Sequence, residues 1–168
     1  MKKKTTLWLS LSIVMMLAII LVSACSPGKG GGSPNVSQCT DYVWAKLSLS
    51  GDFGKYPDAK DWHDYLVKEN PFHQVNDPST GAIVVFQPSF SKTGIDQKSG
   101  HVGIVQSAVT VTVNGVQDWQ ILVRGANQIN PETGLIGTEN EAGCTDVNTL
   151  SYLPYPKSRG GIEYFIRN

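Results

Sequence analysis

The chain reads as an α+β domain, with N-terminal helices packed on an antiparallel β-sheet. Apolar residues recur at helical spacing early, at Val36, Cys39, Val43 and Leu47. After residue 82 the pattern changes to short runs rich in β-branched residues. Asn114-Gly115 then separates two such runs, which is the strongest short hairpin signal in the sequence.

The first helix is expected over about residues 38–47. Ser37 is a candidate N-cap and Asp41 suits the first turn. Ser50-Gly51-Asp52 ends it. A second helix is expected after Pro57-Asp58, with Ala59, Trp62 and Leu66 on its apolar face, and Asn70-Pro71 stops it. Asp77 to Gly81 is turn chemistry ahead of the apolar strand Ala82 to Phe86. Pro88 to Ser99 is a polar loop. Strands follow at His101 to Ser107, Val109 to Val113 and Val116 to Arg124. Gln128 to Ser158 reads as a long loop, and Gly161 to Ile166 as the last strand.

The N-terminus has a different composition. Lys2, Lys3 and Lys4 precede an apolar run from Leu7 to Ala24, the layout of a secretory signal over residues 1–24. Val22-Ser23-Ala24-Cys25 resembles a bacterial lipobox, which would place a lipid on Cys25 and the protein at a membrane, outside the cytoplasm. The competing reading is an uncleaved membrane anchor. Residues 25–36 are rich in Gly, Ser and Pro and read as a flexible tether, with a reach on the order of 17–20 Å. Residues 37–168 remain as one domain, large enough for a single core. The 168 residues balance 14 basic against 14 acidic side chains, and beyond Lys2–Lys4 of the signal no basic cluster occurs, so nucleic acid is not an expected partner. No metal-ligand spacing such as Cys-x-x-Cys appears, and neither metal nor cofactor is expected.

Three residues point to chemistry, in the order thiol, imidazole, amide. Cys39 opens the first helix, where unpaired N–H groups and the helix dipole favour a thiolate and face a developing oxyanion. His101 opens a strand, and Gly103 beside it leaves room for substrate or backbone. Asn127 follows the return strand. A thiol becomes a nucleophile when an imidazole takes its proton and a third group fixes that imidazole. Each residue has a plainer reading: a Cys39–Cys144 disulfide or a buried thiol, a core histidine, a loop asparagine. His63 reads as a surface residue, and His73 as a loop residue that lines the cleft at most. A two-residue Asn114-Gly115 turn would leave Asn127 opposite Val102. One extra residue, in the turn or as a bulge near Gly125, would set it opposite His101.

Gln38-Cys39-Thr40 with Tyr42-Val43-Trp44, Pro78 to Phe86, Gly100 to Val105, Asn127 and Gly161 to Ile166 together resemble the CHAP family, the cysteine, histidine-dependent amidohydrolases/peptidases. The resemblance implies a papain-like fold and cleavage of peptidoglycan amide bonds, with Cys39 as nucleophile, His101 as general base and Asn127 as orienting residue. It implies a peptidoglycan peptide as substrate, for an N-acetylmuramoyl-L-alanine amidase or an endopeptidase, acting as a monomer. Many family members carry a glutamate two residues before the asparagine, where this chain has Gly125. Glu139, Glu141 and Asp146 of the long loop are alternative acids, and a non-catalytic wall-binding lipoprotein is the rival reading. Tyr42, Trp44, Trp62, Phe86 and Trp119 are read as core residues rather than sugar platforms.

Overall fold

The structure, a computed structural model, describes residues 38–50, 58–90, 98–130, 132–153 and 160–168. The signal peptide, the tether, Cys25 and the Ser37 cap expected from the sequence lie outside the described residues.

Helix α1 spans Cys39–Leu47 and begins at Gln38, whose backbone is extended and whose N–H donates to Asp41 Oδ2 at 3.1 Å. Asp41 therefore satisfies one of the amides that a helix start leaves open. The helix ends at Ser48 in a left-handed conformation, with the Ser48 and Leu49 amides donating back to the Ala45 and Trp44 carbonyls. Its inner face buries Tyr42, Val43 and Ala45.

The second expected helix is only partly regular. Ala59–Asp61 is a 3₁₀ turn, α2 covers Trp62–Asp64, and Tyr65–Glu69 widens into a π turn. The apolar face expected of it is nonetheless buried, through Ala59, Trp62, Tyr65 and Leu66. Among the described residues the domain is mainly antiparallel sheet, with two short helical segments, α1 and Ala59–Glu69, packed on one face.

Seven antiparallel strands form one sheet: β1 Phe72–Val75, β2 Ile83–Phe86, β3 His101–Val113, β4 Val116–Ala126, β5 Glu139–Glu141, β6 Cys144–Tyr152 and β7 Ile162–Arg167. Their order across the sheet is β1-β7-β2-β3-β4-β6-β5. Both faces are covered. One packs under α1 and the Ala59–Glu69 turns, using Ile83, Val85, Val102, Ile104 and Phe165. The other gathers Val84, Phe86, Val105, Ile121, Val123 and Tyr152. This explains why β2 is an uninterrupted apolar run: every residue in it is buried. Each such side chain contributes about 1.5–3 kcal/mol of transfer free energy.

The turn at Asn114-Gly115 pairs Val113 with Val116, as the dipeptide predicts. Further along, the ladder shifts between Val105 and Ser107. The extra residue is Gln106, within β3, rather than in the turn or near Gly125. Beyond it Ile104 faces Arg124, and the same register extended leads Asn127 to the level of His101.

The expected loop 128–158 contains the β5–β6 hairpin, and β6 completes the sheet beside β4. Its sequence, Cys144 to Tyr152, breaks strict alternation with the polar pairs Thr145-Asp146 and Asn148-Thr149, and Val147, Leu150 and Tyr152 point into the core. His73 lies in edge strand β1 rather than in a loop.

Candidate active site

Cys39 is the first residue of α1, which rests on β3 and β4. Its sulfur accepts backbone N–H groups of Val102, Thr40 and Cys39 itself, and it is a free thiol. The Val102 contact sets the sulfur beside the residue that follows His101. Cys144 is buried, and because Cys39 is a free thiol the Cys39–Cys144 pairing is not formed.

Burial pushes the Cys39 thiol up to about 11, against the pull of those three amides. The helix-start amides do pull the thiol down, as the sequence implies, but burial outweighs them. Three amide dipoles do not replace the water that the anion would lose on entering this site.

His101 is 3 % exposed, and burial lowers it to about 4 despite the Gln128 contact that favours its charged form. At neutral pH the site therefore holds a protonated thiol and a neutral imidazole. The ring lies against Phe86, with centroids 6.1 Å apart, and Phe86 in turn packs on Tyr152. Nε2 is 3.2 Å from Gln128 Oε1. Among the described residues, no hydrogen bond reaches Nδ1, and none joins the Cys39 sulfur to the imidazole. Burial, and secondarily the proximity of the Cys39 sulfur, raise the Tyr152 phenol well above its ordinary range. Thiol, imidazole and Tyr152 are thus gathered into one region.

Asn127 reaches that region without bonding to the imidazole. Its backbone is left-handed, with φ 55°. Its N–H donates to the Asp146 carbonyl at 3.2 Å, and its Nδ2 donates to Gln38 Oε1 at 3.4 Å. Register alone levels Asn127 with His101, but the left-handed step interrupts the alternation of the strand and turns the amide toward the start of α1. Gln128 takes the imidazole contact instead. Strand alternation hides this residue, because it assumes that no residue after Ala126 leaves the extended conformation.

Gly103 does not open space for substrate. A Cβ there would come within 2.4 Å of Val123 Cγ1 and 3.0 Å of the Arg124 carbonyl oxygen, so the glycine admits β4 rather than a ligand. The three candidate acids, Glu139, Glu141 and Asp146, do not bond His101. Glu139 and Glu141 pair with Arg124 at 2.6 and 2.7 Å, and Glu141 also holds Lys46 at 2.6 Å and the Tyr42 hydroxyl at 3.1 Å. Burial raises the Glu141 carboxyl, but Lys46 and Arg124 outweigh it and hold the group below the usual carboxylate range. Asp146 Oδ2 accepts from Thr145 Oγ1 at 2.6 Å. Of the other histidines, His63 is half exposed beside Glu163 at 3.4 Å, and His73 contacts Asn168 three strands away from β3. Tyr42, Trp62 and Phe86 are fully buried, as core residues should be, while Trp119 is half-buried and donates to Asp77 Oδ1 at 3.2 Å.

A family model for the CHAP domain matches residues 28–127, more than half of the 168-residue chain. The chain belongs to the CHAP domain family. No curated protein and no solved structure matches it. Membership implies a peptidoglycan hydrolase-type amidase or peptidase activity. The match ends at Asn127, so Gln128, Tyr152 and the β5–β6 hairpin of this CHAP domain lie beyond it.

Proposed function

We propose that this CHAP domain hydrolyses an amide bond of peptidoglycan, as an N-acetylmuramoyl-L-alanine amidase or an endopeptidase, with Cys39 as nucleophile and His101 as general base. The observation that carries this reading is a free thiol on the first residue of α1, a helix packed on strand β3, whose first residue is His101.

Because both groups are neutral at rest, the thiol proton moves as the reaction begins. His101 accepts it while sulfur attacks the carbonyl carbon, and the amides at the start of α1 face the oxyanion that forms. The protonated imidazole then gives its proton to the leaving amine, and the C–N bond breaks. Water, deprotonated by the same ring, displaces sulfur from the acyl group and regenerates the thiol. Asn127, through Gln38, braces the first turn of α1 from the β4 end. No metal, cofactor or nucleic acid enters this scheme.

The alternative, a wall-binding protein without catalysis, is favoured by one observation: no hydrogen bond joins the Cys39 sulfur to the imidazole among the described residues. Mass analysis of fragments released from purified peptidoglycan separates the two. The catalytic reading expects new amino termini with the wild-type domain and none with Cys39→Ala or His101→Ala. Equal release by all three would refute it.

A lipid on Cys25, holding the domain outside the cytoplasm at a membrane, remains part of the proposal. Intact mass of the membrane-extracted protein tests it: a lipid mass on Cys25 is expected, and an unmodified Cys25 would refute it.

A further inference from the structure

The imidazole of His101 is held by an amide that lies past the end of the family match. Gln128 is fully buried, and its side chain is fixed at both ends. Nε2 lies 3.2 Å from the Val123 carbonyl, 3.3 Å from that of Gly125, and 3.1 Å from both the backbone and side-chain oxygens of Asn148. Four acceptors around one nitrogen identify it as the NH₂ end of the amide. The other end is therefore the carbonyl, and Oε1 can only accept. It receives the Tyr152 hydroxyl at 3.2 Å, and the phenol keeps its proton because burial raises it. It also meets His101 Nε2 at 3.2 Å, so that ring nitrogen must carry the proton. The lone pair then falls on Nδ1.

Gly125 makes this arrangement possible. A Cβ at position 125 would come 3.1 Å from both Cδ and Nε2 of Gln128, and 3.4 Å from its Cγ. The Gln128 amide lies over the space that a side chain at 125 would occupy. Fully buried and bonded at both ends, it has little freedom to move aside.

We propose that Gln128, seated over Gly125 and braced by Tyr152, is the positioning residue that fixes the His101 tautomer and leaves Nδ1 as the base. A neutral acceptor holds the ring's geometry without favouring the imidazolium as a carboxylate does, consistent with an imidazole that is neutral at rest. Gly125 and Gln128 then act as a pair: a side chain at 125 and a glutamine at 128 compete for one volume.

This inference rests on the hydrolase reading only for its kinetic arm. The structural arm needs no turnover. In ¹⁵N-labelled wild-type protein at pH 7, the His101 ring is expected to show a protonated Nε2 and an unprotonated Nδ1. A protonated Nδ1 overturns the proposal, whether or not the domain digests peptidoglycan. In Gln128→Leu that signature is expected to give way to a mixture of tautomers. Turnover of peptidoglycan fragments should fall on the order of 10–100-fold in kcat, with little change in KM. Wild-type kcat together with a wild-type ring spectrum in Gln128→Leu would also overturn it. Gly125→Ala, which keeps every hydrogen-bonding group and only crowds Gln128, should disturb the same ring signals. An unchanged ring spectrum there refutes the coupling of the two positions.

Discussion

Lowering the pH offers a sharp probe of the His101 environment, because folding and chemistry both depend on its neutrality. The folded imidazole sits at about 4, against 6.5 for an unperturbed one. The difference is about 2.5 pH units, or about 3 kcal/mol at 1.36 kcal/mol per unit. The folded value is the lower one, so as pH falls the unfolded chain takes the proton first. The stabilisation is complete above about pH 6.5 and is lost progressively as pH falls toward 4. Denaturant unfolding of the wild-type domain and of His101→Gln, followed between pH 4 and 7, isolates this contribution, since the carboxylates titrate in both proteins. The wild type is expected to lose about 3 kcal/mol more than the variant across that window. Parallel curves, or an imidazole resonance that titrates near 6.5 in the folded protein, would refute the reasoning.

Other outcomes follow from the same geometry. With the Cys39 thiol at about 11, roughly one molecule in ten thousand is a thiolate at pH 7, so iodoacetamide should label it slowly and about tenfold faster per added pH unit; a rate already level at neutral pH would show a resting thiolate instead. Gly103→Ala should cost about 1–3 kcal/mol in denaturant unfolding, because the new methyl collides with Val123 and the Arg124 carbonyl; an unchanged midpoint would mean that β4 can retreat. Arg124→Met should cost about 1–2 kcal/mol, less in high salt, by leaving the half-buried Glu141 to Lys46 and Tyr42 alone. The fully exposed Glu139 adds nothing to that figure. A salt-independent loss would point to packing of the arginine stem instead.

How much of this was legible in the sequence depends on the range of each signal. α1 was readable from apolar spacing and Asp41, and the β3–β4 hairpin from Asn114-Gly115, because turns and helix starts are local chemistry. The need for one extra residue between His101 and Asn127 was also readable, since strand alternation makes a one-residue slip visible. Its place was not, because nothing in Val105-Gln106-Ser107 distinguishes a bulge from a regular strand. Strand β6 was hidden for a related reason. Its polar residues, such as Thr145, Asn148 and Ser151, read as loop, and its β character comes from pairing with β4, a tertiary effect. The close approach that Gly103 permits was readable, but not that strand β4, through Val123 and the Arg124 carbonyl, takes the space rather than a substrate. Cys39 and His101 were singled out by their local settings, the start of a helix and the start of a strand, and the structure places them there. The raised thiol was not readable, because helix-start amides are visible in sequence while the desolvation that outweighs them is a property of the packed site.

One experiment goes to the sulfur itself. The wild-type domain is mixed with soluble peptidoglycan fragments, quenched in acid within the first turnover, and its intact mass and digests are read. The expected result is an acyl adduct on Cys39 that forms and decays with turnover, and that is absent from Cys39→Ala. Continued amide cleavage by Cys39→Ala, or turnover by the wild type through an adduct on any residue other than Cys39, would contradict it.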